Sequence, residues 1–159
     1  MRCERTRFGE AGFTYLALLL MIAVLGAVLG AGAEVWHTAV QREKEQELLF
    51  VGDQFRSAIR SYYMDQSHYP HALEDLLKDP QQAATRRYLR KIYRDPMTGK
   101  SEWGTELRPD GGIVGVHSLS GAQPIKVAGF NAADSSFEGA DKYSKWLFLY
   151  LPRQHQRGR

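Results

Sequence analysis

The chain is poor in cysteine, since Cys3 is the only one among its 159 residues. A single thiol excludes an intrachain disulfide framework and any metal site built from several cysteines. Catalytic signatures are also missing: the sequence has no Gly-x-Ser-x-Gly, no glycine loop that would cradle a phosphate and no His-Glu zinc motif. We therefore expect a protein that is not an enzyme.

Charge is absent from the run Ala11–Ala33, which is 23 residues long. As a helix this run would reach about 35 Å, enough to cross a hydrocarbon core of about 30 Å. Three arginines, Arg2, Arg5 and Arg7, precede it. Basic residues favour the cytoplasmic side of a membrane. The pattern predicts that residues 13–35 cross a membrane once, with the rest of the chain outside the cytoplasm.

The uncharged run opens with Gly12-Phe13-Thr14-Tyr15-Leu16. A glycine followed by phenylalanine at this place resembles the type III signal of type IV pilins and type II secretion pseudopilins. The resemblance implies that a prepilin peptidase removes residues 1–12 as a leader and methylates Phe13. The cleaved chain would then contain no cysteine. Members of the family usually carry Glu at the fifth mature position, where this chain has Ala17.

Two other interpretations of the N-terminus compete with the pilin signal. Ala31-Gly32-Ala33 fits the cleavage pattern of a secretory signal, and cleavage there would release a soluble protein that begins at Glu34. The apolar run is longer than the 7–15 residues that such signals use. An uncleaved membrane anchor is the third interpretation.

Helical periodicity continues past the uncharged run. Leu48, Phe55, Ile59 and Tyr62 recur at spacings of seven, four and three, which defines one apolar face. The expected opposite face is charged and consists of Arg42, Glu43, Lys44, Glu45, Glu47, Asp53 and Arg56. We predict one helix from Phe13 to about Asp65, divided into a membrane or filament-core half at 13–35 and a periplasmic half at 36–66. We call this helix the stem.

Small residues in the first half of the stem indicate helix–helix assembly. Gly26 and Gly30 have the four-residue spacing that lets helix backbones approach closely in lipid. Glycine and alanine are also common in transmembrane helices that do not associate. The predicted assembly surface consists of Leu16, Ala17, Ala23, Gly26 and Gly30.

Residues 67–152 are predicted to form an α/β domain, which we call the head, followed by a basic tail at 153–159. The sequence predicts a short helix over His71–Lys78, further helical turns within Ala83–Lys91 and a loop over Gly129–Asp141. The predicted strands are Gly112–Ser118, Pro124–Val127 and Lys145–Leu151. The expected fold class is α+β, with a small antiparallel sheet packed on the second half of the stem.

The order of short motifs in the head resembles the G-type, or major, pseudopilin. Tyr69-Pro70 is followed by the leucine-rich segment and then by the turn Asp95-Pro96-Met97-Thr98-Gly99 and by Trp103-Gly104. The resemblance implies a structural subunit of the periplasmic pseudopilus of type II secretion, anchored in a bacterial inner membrane. Its implied partners are other pseudopilin subunits, the prepilin peptidase and the inner-membrane assembly platform.

Two other functions fit the same sequence. The first is a subunit of a type IV pilus or a DNA-uptake filament. The second, from a different class, is a soluble periplasmic binding domain released by a secretory signal.

Evidence for a bound metal is weak. The resemblance implies calcium in the loop after Ser118-Leu119-Ser120-Gly121, but the aspartate of the family pattern is missing there. Carboxylates that could replace it are Asp134, Glu138 and Asp141. His68 and His71 lie near Asp75 and Glu74, although Pro70 between them opposes a helical metal site. We expect no other cofactor.

The densest basic cluster in the head consists of Arg86, Arg87, Arg90, Lys91 and Arg94, with Tyr88 and Tyr93 interleaved. Such a cluster could contact the phosphates of DNA. It could instead form salt bridges with a neighbouring subunit, where Glu43, Glu45 and Glu47 of the stem need partners. The second interpretation is favoured, and we expect no nucleic acid ligand.

Overall fold

The structure, a computed structural model, describes residues 10–77 and 87–152, with the side chains of the long helix described at 13–27 and from 36 onward. Helix α1 spans Glu10–Gln66 and is followed by strands β1 (Gly104–Leu107), β2 (Ile113–His117) and β3 (Phe148–Leu149). Short 3-10 helices occupy Leu73–Leu76, Ala132–Phe137 and Tyr143–Lys145. The expected α+β fold with a long helix and a small antiparallel sheet is confirmed. Most of the predicted leader and all of the tail at 153–159 lie outside the described residues.

Helix α1 ends within one residue of the position that its periodicity predicts. Ser67 follows with a φ of 59°, in the left-handed region, and its N–H donates to the carbonyl of Tyr63 at 2.8 Å. A left-handed residue after the last turn closes a helix, because it turns the chain while satisfying a terminal carbonyl. The helix therefore stops before Tyr69-Pro70, the step that the sequence indicated as its terminator.

The chain divides into two units, one at Met1–Val40 and the other at Gln41–Arg159. Among residues 10–77 and 87–152, no helix was found that is long and apolar enough to cross a membrane. The membrane-spanning half of the stem stays a prediction.

The sheet is antiparallel, in the order β1-β2-β3. Thr105 pairs with Val116, and a bulge between Glu106 and Leu107 shifts the register so that Leu107 pairs with Ile113. On the other edge of β2, Val116 pairs with Phe148. Within the second unit the sheet shares one buried core with the part of α1 from Leu48 to Tyr62.

The core of the second unit contains the stem residues that the periodicity selected. Leu48, Phe55 and Ile59 are fully buried, and Tyr62 is 3% exposed. They pack against aromatic side chains of the head, among which Phe137 and Trp146 stack with ring centroids 5.6 Å apart. Gly52 of α1 lies directly beneath the ring of Phe148, where a Cβ would overlap the ring. This contact brings helix and sheet close together.

The strand prediction is right for β2, right in part for Lys145–Leu151 and wrong for Pro124–Val127. Pro124–Val127 is not a strand, because the N–H groups of Ile125 and Lys126 donate to a side chain of α1 instead of a neighbouring strand. Lys145–Leu151 contains only the two residues of β3, preceded by a 3-10 turn. The first strand, β1, was not predicted, since Gly104–Leu107 shows neither alternation nor a β-branched run.

The predicted helices of the head are also shorter than expected. Of His71–Lys78, residues 71–77 are described and form only the 3-10 turn Leu73–Leu76, whose start is fixed by Asp75 accepting from the backbone N–H groups of His71 and Ala72. Of Ala83–Lys91, residues 87–91 are described and are not helical. The predicted loop Gly129–Asp141 contains the 3-10 helix Ala132–Phe137.

Candidate assembly and anchoring sites

The first unit exposes a dense row of large apolar side chains. Ten of them between Phe13 and Leu25 are 45–75% exposed, and Leu16 is 65% exposed. Large contiguous apolar surfaces are rare on soluble monomers and mark contacts with lipid or with another protein. Predicted assembly residues Ala17 and Ala23 are exposed on the same segment. This segment has the surface that an assembly or membrane site requires.

Gly26 leaves an open place on that surface. A Cβ built at Gly26 meets no atom within 4 Å. Another helix could therefore approach the backbone closely here, as the glycine spacing predicts. The surroundings of Gly12 and Gly30, the predicted processing and packing glycines, lie outside the described side chains.

A buried carboxylate ties the head to the second half of the stem. Glu45 is 3% exposed, and its Oε1 accepts from the N–H of Ile125 at 2.6 Å and from the hydroxyl of Tyr143 at 2.8 Å. Its Oε2 accepts from the N–H of Lys126 at 3.2 Å. A buried charge is tolerated when hydrogen bonds replace its lost hydration. Glu45 therefore anchors the 125–126 segment to the helix.

Gln41, one turn before Glu45, extends this anchor. Its amide donates to the hydroxyl of Tyr143 at 2.9 Å and to the carbonyl of Gln123 at 3.1 Å. Burial raises the pKa of Tyr143 to about 12, and the negative charge of Glu45 acts in the same direction. The phenol is thus held neutral, as a donor toward the carboxylate.

Glu45 was expected on the charged outer face, and that expectation is wrong. It lies three residues before Leu48 and seven before Gly52, which puts it on the buried stripe of the helix. Its spacing from the apolar positions was the available signal. A glutamate is nevertheless expected at the surface, because buried glutamates are rare.

Arg56 was also expected on the outer face and is instead largely covered. Its guanidinium contacts Asp134 at 2.5 Å and Asp53 at 3.2 Å. It also lies 5.5 Å from the ring centroid of Phe148. The residue joins the helix to the 3-10 turn at 132–137.

The three calcium candidates do not form a common site. The carboxylate of Asp134 is bound by Arg56, and Asp141 pairs with Lys145 at 2.7 Å, a hydrogen bond that lowers the pKa of Asp141. Glu138 is exposed. Within residues 10–77 and 87–152, no group of three or more His, Cys, Asp or Glu is arranged to hold a metal.

The histidine pair near the end of the stem is engaged in packing. The rings of His68 and His71 stack with centroids 6.5 Å apart, and His68 also meets Tyr62 edge-on at 5.5 Å. The nearby carboxylate of Asp75 is used by backbone N–H groups. The structure therefore places the two histidine side chains next to each other, while the carboxylate of Asp75 binds the backbone and not the histidine rings.

A second buried carboxylate, which the sequence did not indicate, fixes the Asp95–Gly99 turn. Asp95 and Ser118 are both fully buried, and the Ser118 hydroxyl donates to Asp95 at 2.6 Å. The other Asp95 oxygen accepts from the N–H of Met97 at 2.8 Å. The predicted turn is confirmed, with Gly99 at a φ of 72°. Ser118, taken from the sequence as the start of a metal loop, binds the turn.

The described part of the basic cluster is Arg87, Arg90, Lys91 and Arg94, and all four side chains are exposed. Arg86 lies outside the described residues. Phe50 of the stem, 60% exposed, lies beside them and lines the same cavity as Arg87 and Arg90.

Comparisons with protein-family models, curated proteins and solved structures found no match to this chain.

Proposed function

We propose that this chain is a filament-forming pilin-like subunit, closest to the G-type pseudopilin of type II secretion. In this proposal residues 13–35 hold it in a bacterial inner membrane, and the head lies in the periplasm. It acts as a structural component, without catalysis, in a pseudopilus built with other subunits. The prepilin peptidase and the inner-membrane assembly platform are its processing and assembly partners.

The observation that carries the proposal is the exposed apolar segment at the start of α1. Ten large apolar side chains between Phe13 and Leu25 have no cover in a single copy of the chain. The sequence places this segment inside the uncharged run and directly after Gly12. An apolar helix that is retained, first in lipid and then among other helices, accounts for both features.

The head supports the proposal through the second half of the stem. A small antiparallel sheet packs on residues from Leu48 to Tyr62, so this part of the helix is amphipathic with one covered face. A long helix with a small head on its second half is the arrangement that the family resemblance implies.

The N-terminus of the membrane-extracted protein tests the proposal. We expect intact mass and N-terminal sequencing to show a chain that begins at Phe13 and carries one methyl group. Gly12→Leu should leave the precursor uncut, because the peptidase requires a small residue before the bond. Gly9→Leu, three residues earlier, is the matched control and should be processed normally.

Other N-termini would contradict the proposal. A soluble protein that begins at Glu34 would indicate a released periplasmic domain. A chain that keeps Met1 in the membrane, in cells with an active prepilin peptidase, would indicate an uncleaved anchor.

A further inference from the structure

Trp36 is an exposed aromatic residue near the end of the first unit. Its side chain is 73% exposed, and it is the only tryptophan of that unit, since Trp103 and Trp146 are buried in the second. Tryptophan is common where one end of a side chain meets apolar matter and the other end meets water. Neither the predicted membrane segment at 13–35 nor the predicted assembly surface includes Trp36.

A second exposed aromatic residue, Tyr15, lies near the other end of the uncharged run and is 64% exposed. Trp36 follows Tyr15 by 21 residues on the same helix. At a rise of about 1.5 Å per residue, the two lie about 32 Å apart along the helix. The hydrocarbon core of a bilayer is about 30 Å thick. Residues 16–35, between them, contain no aromatic residue. The two rings therefore have the spacing of the two surfaces of one bilayer.

The sequence around Trp36 changes from apolar to polar. The uncharged run ends at Ala33, and Glu34 is the first charge after it. His37 and Thr38 follow Trp36 directly, and both are exposed. Tryptophan prefers mixed surroundings, because its ring is apolar while its indole N–H requires a hydrogen-bond acceptor. The headgroup region at a membrane surface provides both.

We propose that Trp36 anchors α1 at the periplasmic surface of the membrane, with its ring among the lipid headgroups and with Tyr15 at the cytoplasmic surface. The proposal rests on the proposed function, because it requires that the first unit is retained in a membrane. Interfacial aromatic residues set the depth of a helix in a bilayer. Trp36 lies five residues before Gln41, where the second unit begins. It thus determines where along α1 the lipid ends and the periplasmic part starts.

A neighbouring subunit is the competing occupant of this surface. Tryptophan is also frequent at the centre of contacts between proteins. The distance from Tyr15 favours lipid, because a bilayer requires a match to the thickness of its hydrocarbon core and a protein contact does not. Depth-resolved fluorescence separates the two occupants.

Tryptophan fluorescence of the full chain in phosphatidylcholine vesicles tests the position of the ring. The acyl chains of the lipid carry bromine either near the headgroup or near the chain terminus, and bromine quenches tryptophan only at short range. We expect the shallow bromine to quench Trp36 more strongly than the deep bromine. Trp103 and Trp146 should be insensitive to both, because they are buried in the second unit. Trp36→Phe should therefore abolish the quenching.

Phe50→Trp in the Trp36→Phe chain is the matched control. Phe50 is exposed to a similar extent, 60%, but it belongs to the second unit. The tryptophan of this variant should be quenched by neither lipid. Equal quenching at positions 36 and 50 would overturn the proposal, because it would reflect exposure and not a place at the membrane surface.

Moving the anchor tests whether it sets the depth of the helix. The reporter is Thr38→Cys in a chain with Cys3→Ser, and its rate of reaction with a membrane-impermeant maleimide is measured. Trp36→Leu/Ala39→Trp moves the tryptophan about one turn toward the second unit and should draw residue 38 into the lipid. The reporter should then react at least about tenfold more slowly, because only the thiolate reacts and apolar surroundings suppress its formation. Trp36→Tyr keeps an interfacial ring and should leave the rate unchanged.

Two further results would overturn the proposal. The first is a Trp36 that the deep bromine quenches more strongly, or that neither bromine quenches, in a chain held in the membrane. Absence of quenching would assign Trp36 to a protein contact. The second is an unchanged rate of the Thr38→Cys reporter after the anchor is moved.

The N-terminus of the same preparation separates this proposal from the proposed function. A membrane-held chain that begins at Phe13 with an unquenched Trp36 refutes the anchor alone. A chain that keeps Met1 and shows shallow quenching supports the anchor and refutes the filament role. A soluble chain that begins at Glu34 refutes both.

Discussion

Replacing Glu45 by glutamine tests whether a buried carboxylate holds the head on the stem. The substitution preserves size and shape but puts an amide where Oε2 accepts from the Lys126 N–H at 3.2 Å. Two donors then face each other, and the Lys126 N–H keeps only its longer contact of 3.3 Å with Oε1. The bonds from Ile125 and Tyr143 to Oε1 remain but no longer involve a charge. Hydrogen bonds to charged groups contribute about twice as much as neutral ones.

The magnitude follows from these three contacts. Losing one bond costs about 1 kcal/mol, and converting two charge-assisted bonds to neutral ones costs about 1 kcal/mol each. These values per bond already include the cost of desolvation, and the Lys126 N–H keeps its second contact, so the free energy of unfolding should fall by about 2 kcal/mol. For a chain of this length, that corresponds to a drop in Tm of about 4–8 °C.

Urea unfolding of the purified full chain, followed by tryptophan fluorescence, measures this change. Trp146 is fully buried in the head and reports its unfolding. Glu43→Gln is the matched control, because Glu43 is exposed on the same helix, and we expect an effect within about 0.5 kcal/mol. Equal stabilities of Glu45→Gln and Glu43→Gln would refute the reasoning.

Three further predictions concern the same unit, each measured by denaturation of the full chain. Gly52→Ala should destabilise the folded state by about 1–3 kcal/mol, since the added Cβ would overlap the ring of Phe148. Gly121→Ala is the control and should be neutral, because the space around Gly121 is open. Equal effects of the two substitutions would contradict the close approach of helix and sheet. Ser118→Ala should cost about 1–3 kcal/mol, because it removes a donor from the buried Asp95, and a neutral result would mean that another donor replaces it. The raised pKa of Tyr143 means that the folded state keeps the phenol protonated, so the stabilisation of the folded state is complete below pH 10 and is lost as the pH rises toward about 12. Tyr143→Phe should lose this alkaline dependence of the free energy of unfolding. An unchanged dependence on pH in the variant would disprove the prediction.

The sequence by itself determined the elements whose signal is local. The helix from Glu10 to Gln66 follows from an unbroken apolar run continued by the 3.6-residue spacing of Leu48, Phe55 and Tyr62. Strand β2 follows from its β-branched run after Gly111-Gly112, and the Asp95–Gly99 turn follows from an Asp-Pro step with a glycine three residues later. Each of these elements depends on residues that are close together in the sequence, so the sequence alone is sufficient to predict it.

The tertiary structure decided the partners of the polar groups. Glu45 reads as one of several surface glutamates, and only the fold brings it to Ile125 and Tyr143, about 80–100 positions away. For the same reason Pro124–Val127 looks like a strand but bonds to a side chain of the stem. Ser118 likewise donates to Asp95 across 23 positions of the sequence. Non-local hydrogen bonds of this kind leave no periodic trace in the sequence, because each depends on where two distant segments meet.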